Sequence, residues 1–87
     1  MNSEVLYYEK GYWGKSVTIT NTEVITYKGT FLLKDIKIAY QKFRTLRSPS
    51  LILELHSGDI IEINRGLTWS MEQQLASIIN NLVLKGH

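Results

Sequence analysis

The chain of 87 residues has no cysteine, a single proline and no apolar run of membrane-spanning length. Each absence closes off some chemistry. Without cysteine there can be no disulfide, no thiolate nucleophile and no cysteine-ligated zinc, a composition that suits a reducing compartment. A membrane-crossing helix needs about 20 apolar residues, and the chain holds no such segment. Its first residues, MNSEVLYYEK, carry acids where a secretory leader would be basic. The expected location is cytoplasmic. Repeats, low-complexity tracts and linkers are absent as well.

Charge of one sign is scarce. Ten basic and eight acidic residues leave a net charge of +2, too small an excess to mark a strongly basic nucleic-acid binder. The two histidines are His56 and His87, too far apart in sequence to suggest a metal site. There is no nucleophile elbow, no phosphate-cradling glycine loop and no pair of carboxylates on one helix face. His56 beside Asp59 in HSGD has the residue types of a base oriented by a carboxylate, but a turn places such a histidine in solvent. The reading is a non-enzyme without catalytic residue, cofactor or metal.

A hydrophobic fraction of 44% supports one small core, hence one domain over residues 1–87. A domain of this size is expected to have little interior room for a ligand pocket. The residue pattern predicts seven strands. EVLYYE (4–9) is rich in β-formers. SVTIT (16–20) alternates Val17 and Ile19 with polar residues, the period of a half-buried strand. NT turns the chain into EVITY (23–27), and KG turns it into TFLLK (30–34). DIKIAYQKF (35–43), LILEL (51–55) and IIEI (60–63) follow, the last two joined by HSGD, a strong hairpin signal.

The final segment changes period. Met71, Leu75, Ile78, Ile79 and Leu82 fall within one stripe of a helix, with Gln73, Ser77, Asn80 and Asn81 opposite. Ser70 with Gln73 fits a capping box and Thr68 is a rival N-cap. Gly86 can end the helix in a left-handed cap. One helix of about four turns does not persist alone, so its apolar stripe must cover the sheet. Trp69, at the helix start, is expected in the core.

Seven antiparallel strands followed by one amphipathic helix resembles the pleckstrin-homology (PH) superfold. The segments SVTITNTEVITYKGTFLLKDIKIA and LILELHSGDIIEI, with EQQLASIINNLV, are similar to the opening and closing parts of small bacterial PH-like families. The resemblance implies an α+β fold, a split β-barrel of about seven strands capped by one C-terminal helix. Many such families have no assigned activity. Eukaryotic PH domains bind phosphoinositides through basic residues of the first hairpin, which here would be YEKGYWGKS with only Lys10 and Lys15. No matching phosphate motif is present.

Two stretches suggest a surface for a partner. Tyr12 and Trp13 lie between glycines in a loop, and such aromatics bury large area at little entropic cost; the competing role is to plug the barrel mouth. Lys42, Arg44 and Arg47 belong to a basic strip that begins at Lys34. Ile36, Ile38 and Tyr40 share a parity that Phe43 breaks, so a β-bulge near Gln41 and Lys42 is expected to return Phe43 to the core and to turn Lys42 and Arg44 outward. The strip fits nucleic acid or acidic lipid as an alternative, but neutralising about four phosphates gives binding that falls as roughly the fourth power of salt. Solvated edge-strand lysines serve equally to discourage pairing. The reading is a non-enzymatic interaction or regulatory module that binds a protein partner or itself as a homo-oligomer, through Tyr12 and Trp13 and the Lys42, Arg44, Arg47 strip.

Overall fold

A computed structural model describes residues 4–11, 14–43, 49–64 and 72–85. It is an α+β structure of seven strands in two antiparallel sheets with one C-terminal helix. β1 (Val5–Glu9), β2 (Val17–Thr20), β3 (Glu23–Thr26) and β4 (Gly29–Leu32) form the first sheet in that order. β5 (Ile36–Phe43), β6 (Pro49–Leu55) and β7 (Ile60–Ile63) form the second, and α1 covers Glu72–Lys85. Among the described residues no ladder joins the two sheets, so no closed barrel forms. One 3-10 turn, Leu33–Asp35, carries the chain from β4 to β5. Thr68, Trp69, Ser70, Met71 and Gly86 lie outside the described residues.

Threonine sets the β2–β3 and β3–β4 hairpin turns of the first sheet. The Thr20 hydroxyl accepts from the Thr22 and Glu23 N–H groups and donates to the Glu23 carbonyl. Thr26 repeats the pattern, accepting from Lys28 N–H and donating to the Gly29 carbonyl. A short hydroxyl side chain thereby supplies partners that a two-residue turn leaves open. The second turn is Tyr27-Lys28, one residue before the expected Lys28-Gly29, and Gly29 opens β4 at a φ of 134° that side chains rarely adopt. β4 also ends early, because Leu33 leaves the strand to enter the 3-10 turn.

The register sorts side chains into rows. Tyr7, Ile19, Val24 and Phe31 make one row across the first sheet and face the core. Val17, Leu33, Ile36, Ala39, Leu51, Leu53 and Ile63 join them, and Leu75, Ala76 and Ile79 of α1 close the cluster. Burying these aliphatic side chains stabilises the fold by roughly 1.5–3 kcal/mol each for the larger ones.

The bulge in β5 is not where parity placed it. Ile36 pairs with Leu55 and Ile38 with Glu54, so the extra residue is Lys37. From Ile38 to Phe43 the ladder is regular. The early bulge puts Ile36 and Ala39 inside and turns Ile38 and Tyr40 outward, where a core position had been expected for both. Phe43 does lie on the inner side by register, opposite Pro49, but past the end of the core, and it is 64% exposed.

A side chain takes backbone groups at each edge of the second sheet. The Leu55 N–H bond to the Asp59 carbonyl sets the phase of the ladder, which leaves the Ala39 N–H and C=O pointing away from β6. Asn80 takes both: its Oδ1 accepts from Ala39 N–H and its Nδ2 donates to the Ala39 carbonyl, each at 2.8 Å. Asn80 had been assigned to the solvent face of the helix, but it is the residue that fastens α1 to the edge of β5. Beyond β7, the Tyr27 hydroxyl accepts from Asn64 N–H at 3.2 Å and donates to its carbonyl at 3.4 Å.

Ala39 is buried, whereas the Tyr27–Asn64 contact is exposed, so water can replace the second pairing but not the first. Asn80→Ala is therefore expected to destabilise the fold by about 2–3 kcal/mol, and Tyr27→Phe by about 1 kcal/mol or less. Urea unfolding of the two variants beside the parent checks the order.

Candidate functional site

The residues singled out in the sequence are largely outside the described regions: Tyr12, Trp13, Arg44 and Arg47 are not placed. Lys42 is placed. It sits exposed near the end of β5, opposite Ser50, on the outward side with Ile38 and Tyr40. Lys34 and Lys37 are exposed earlier in the same segment, Lys34 in the 3-10 turn and Lys37 at the bulge. His56 is exposed in the β6–β7 turn. Asp59 does not orient it: the Asp59 carboxylate accepts from the Ser57 hydroxyl at 3.1 Å. No group of three or more potential metal ligands comes together among the described residues, and none of the helices described is long and apolar enough to cross a membrane.

The outer face of the second sheet mixes exposed Ile38 and Ile60 with cross-strand hydrogen bonds. The Ser50 hydroxyl, fully buried, donates to Glu62 Oε2 at 2.7 Å and accepts from Asn64 Nδ2 at 3.1 Å. Tyr40 donates to Glu54 Oε2 at 3.1 Å. These cross-strand bonds turn potentially sticky strands into a satisfied surface.

The outer face of the first sheet differs. The row Tyr8, Thr18, Ile25, Thr30 crosses all four strands without a charge. Adjacent Tyr7 and Tyr8 point to opposite sides, as strand geometry demands: Tyr7 packs on the core and donates to Glu9, while Tyr8 is 56% exposed. Val5 and Leu6 are exposed beside it, and Leu32 is exposed at the far edge. Solvent-facing positions of a sheet are ordinarily polar, and here the uncharged row runs across the face beside Glu23, which pairs with Leu32 on the same side. Leu6 itself is a bulged residue, since the pairing steps from Val5–Thr20 to Tyr7–Ile19. The bulge makes β1 a poor template for an added strand.

Little interior room was expected, and the space for a ligand lies at the surface. A cleft of ≈390 Å³ opens between the β2–β3 turn, the 3-10 turn and the C-terminal half of α1. Leu32, Leu33, Leu82 and Val83 form its apolar walls, and Lys34 stands at its rim with Asn21 and Thr22. Sequence patterning assigned Leu82 to the helix stripe and Leu33 to a strand. It had no means of showing that the helix would dock off-centre and leave space between them.

Comparison with known proteins returned no matching family model, no matching curated protein and no matching solved structure.

One titration follows from the geometry. The Glu54 carboxylate accepting the Tyr40 hydroxyl, helped by desolvation and by its negative charge, holds the phenol above its ordinary pKa. A raised folded-state value means that the stabilising contribution is complete below the ordinary pKa near 10 and is lost as pH rises through the higher one. Tyr40 should thus ionise at higher pH than a free phenol, and Glu54→Gln should return it toward that value. Site-resolved tyrosine NMR through the alkaline range reads both.

Proposed function

We propose that this chain is a PH-like split-barrel domain and a non-enzymatic interaction module whose protein partner lies on the outer face of the first sheet. The division of seven antiparallel strands into four and three, followed by one helix over the core, supports the PH-like reading. The observation that carries the functional reading is the uncharged row from Tyr8 to Thr30, flanked by exposed Val5, Leu6 and Leu32. Large apolar side chains grouped on a surface mark contact sites. On the second sheet, exposed Ile38 and Ile60 stand among cross-strand hydrogen bonds, and Asn80 and Tyr27 take edge groups at Ala39 and Asn64. The bulge at Leu6 favours a partner laid flat on the face over one added as a strand.

Exposed Lys34, Lys37 and Lys42 leave nucleic acid or anionic lipid as the alternative partner. Capture from native lysate with and without nuclease, using the parent chain and a Tyr8→Lys, Ile25→Lys double variant, separates the readings. The parent should retain a protein partner after nuclease treatment, and the double variant should lose at least about tenfold of it, the scale of a central contact residue, with an unchanged melting temperature. Sedimentation equilibrium of the same pair tests whether the partner is a second copy. Capture that vanishes with nuclease, or that ignores both substitutions, overturns the proposal.

A further inference from the structure

We infer that the cleft between the β2–β3 turn and the C-terminal half of α1 binds a small amphiphilic carboxylate, a site that shares only Leu32 with the sheet face. Its walls come from three elements. Successive residues of a 3-10 turn point about 120° apart, so Leu33 enters the core while Lys34 swings to the rim. Leu82 and Val83 are adjacent on α1. Both pack against the core yet stay only half-buried, and both line the cleft. α1 packs on β5, β6 and the 3-10 turn, and the clamp at Ala39 holds it there, so the gap toward Asn21 and Thr22 persists.

Size and chemistry select the ligand. At ≈390 Å³ the cleft falls at the small end of sites for small molecules, which are mostly apolar with a few placed polar groups. Among the described lining residues Lys34 is the only charged one. An apolar slot with one ammonium at its mouth fits a short alkyl chain ending in a single anion. The chain would lie on Leu33, Leu82 and Val83, and the carboxylate would meet Lys34, with the neutral Asn21 and Thr22 beside it. Nothing in the lining repels a negative charge, and a cationic head group would oppose Lys34 directly.

The test is a two-dimensional amide NMR titration of the full chain at pH 7 with butanoate, hexanoate and octanoate, and with octanol and octylammonium as same-length controls. Shifts should be confined to residues around 21–22, 32–34 and 82–83. Each added methylene should tighten binding about two- to fourfold until the cleft is full. Octanoate should exceed octanol by about three- to fivefold, the scale of an exposed charge pair, and Lys34→Gln should erase that margin while keeping the chain-length dependence. Val83→Trp should abolish binding by filling the slot. Thr22→Trp blocks the mouth from an exposed turn position and serves if the first variant fails to fold, while Leu84→Ser, outside the cleft, should bind as the parent does. Affinity independent of chain length, octylammonium binding as well as octanoate, or shifts spread over the uncharged sheet face would each overturn the assignment. So would binding of a peptide with an apolar C-terminal residue where octanoate fails. Because Tyr8 and Ile25 do not line the cleft, their lysine variants should leave octanoate binding intact, and the two proposals fail independently.

Discussion

At Ala39 the backbone of an edge strand is buried, and its N–H and C=O must find partners there or destabilise the fold. The Asn80 amide supplies both partners at once. A primary amide carries a donor and an acceptor side by side, as a neighbouring strand would, so Asn80 completes the ladder without adding a strand. The contact sets the position of α1 along β5. From that position follow the burial of Leu75, Ala76 and Ile79 over the sheet and the gap left beside Leu82 and Val83. Hydrophobic burial drives the helix onto the sheet, but apolar contacts are nondirectional. The paired hydrogen bonds select one placement among several that would cover the core.

The same logic runs through the other edge. Tyr27 sits in a turn of the first sheet, yet its hydroxyl closes the end of β7 at Asn64, and the Lys15 ammonium lies 5.3 Å from its ring centre. The two sheets share no ladder, so this contact links them across the molecule. The outer face of the first sheet carries the uncharged row from Tyr8 to Thr30 beside Glu23. That row, proposed for a protein, is separate from the cleft proposed for a small anion.

Much of the architecture was legible in the residues. Alternation in VTIT, the turn chemistry of Asn21-Thr22 and of His56 to Asp59, and the helical stripe of Leu75, Ile78, Ile79 and Leu82 are local properties, and they placed the elements to within a residue or two. The opposite orientations of Tyr7 and Tyr8 follow from strand geometry alone. The candidate site was less legible. Parity showed that β5 must contain a bulge, because alternation broke somewhere between Ile36 and Phe43. It did not show which residue was extra. The register places it at Lys37, just after the 3-10 turn.

What the sequence determined by itself is the inventory: seven strands, one amphipathic helix, no cysteine and no large charge excess. Period and turn residues act over a few neighbours, so they are readable without the fold. Only the tertiary structure decided that Asn80 faces β5, that Phe43 overshoots the core, that the row from Tyr8 to Thr30 is free of charge, and that a cleft remains beside Lys34. Each of these depends on register or on the docking of one element against another. Ala39 and Asn80 are 41 positions apart, and no local pattern relates them.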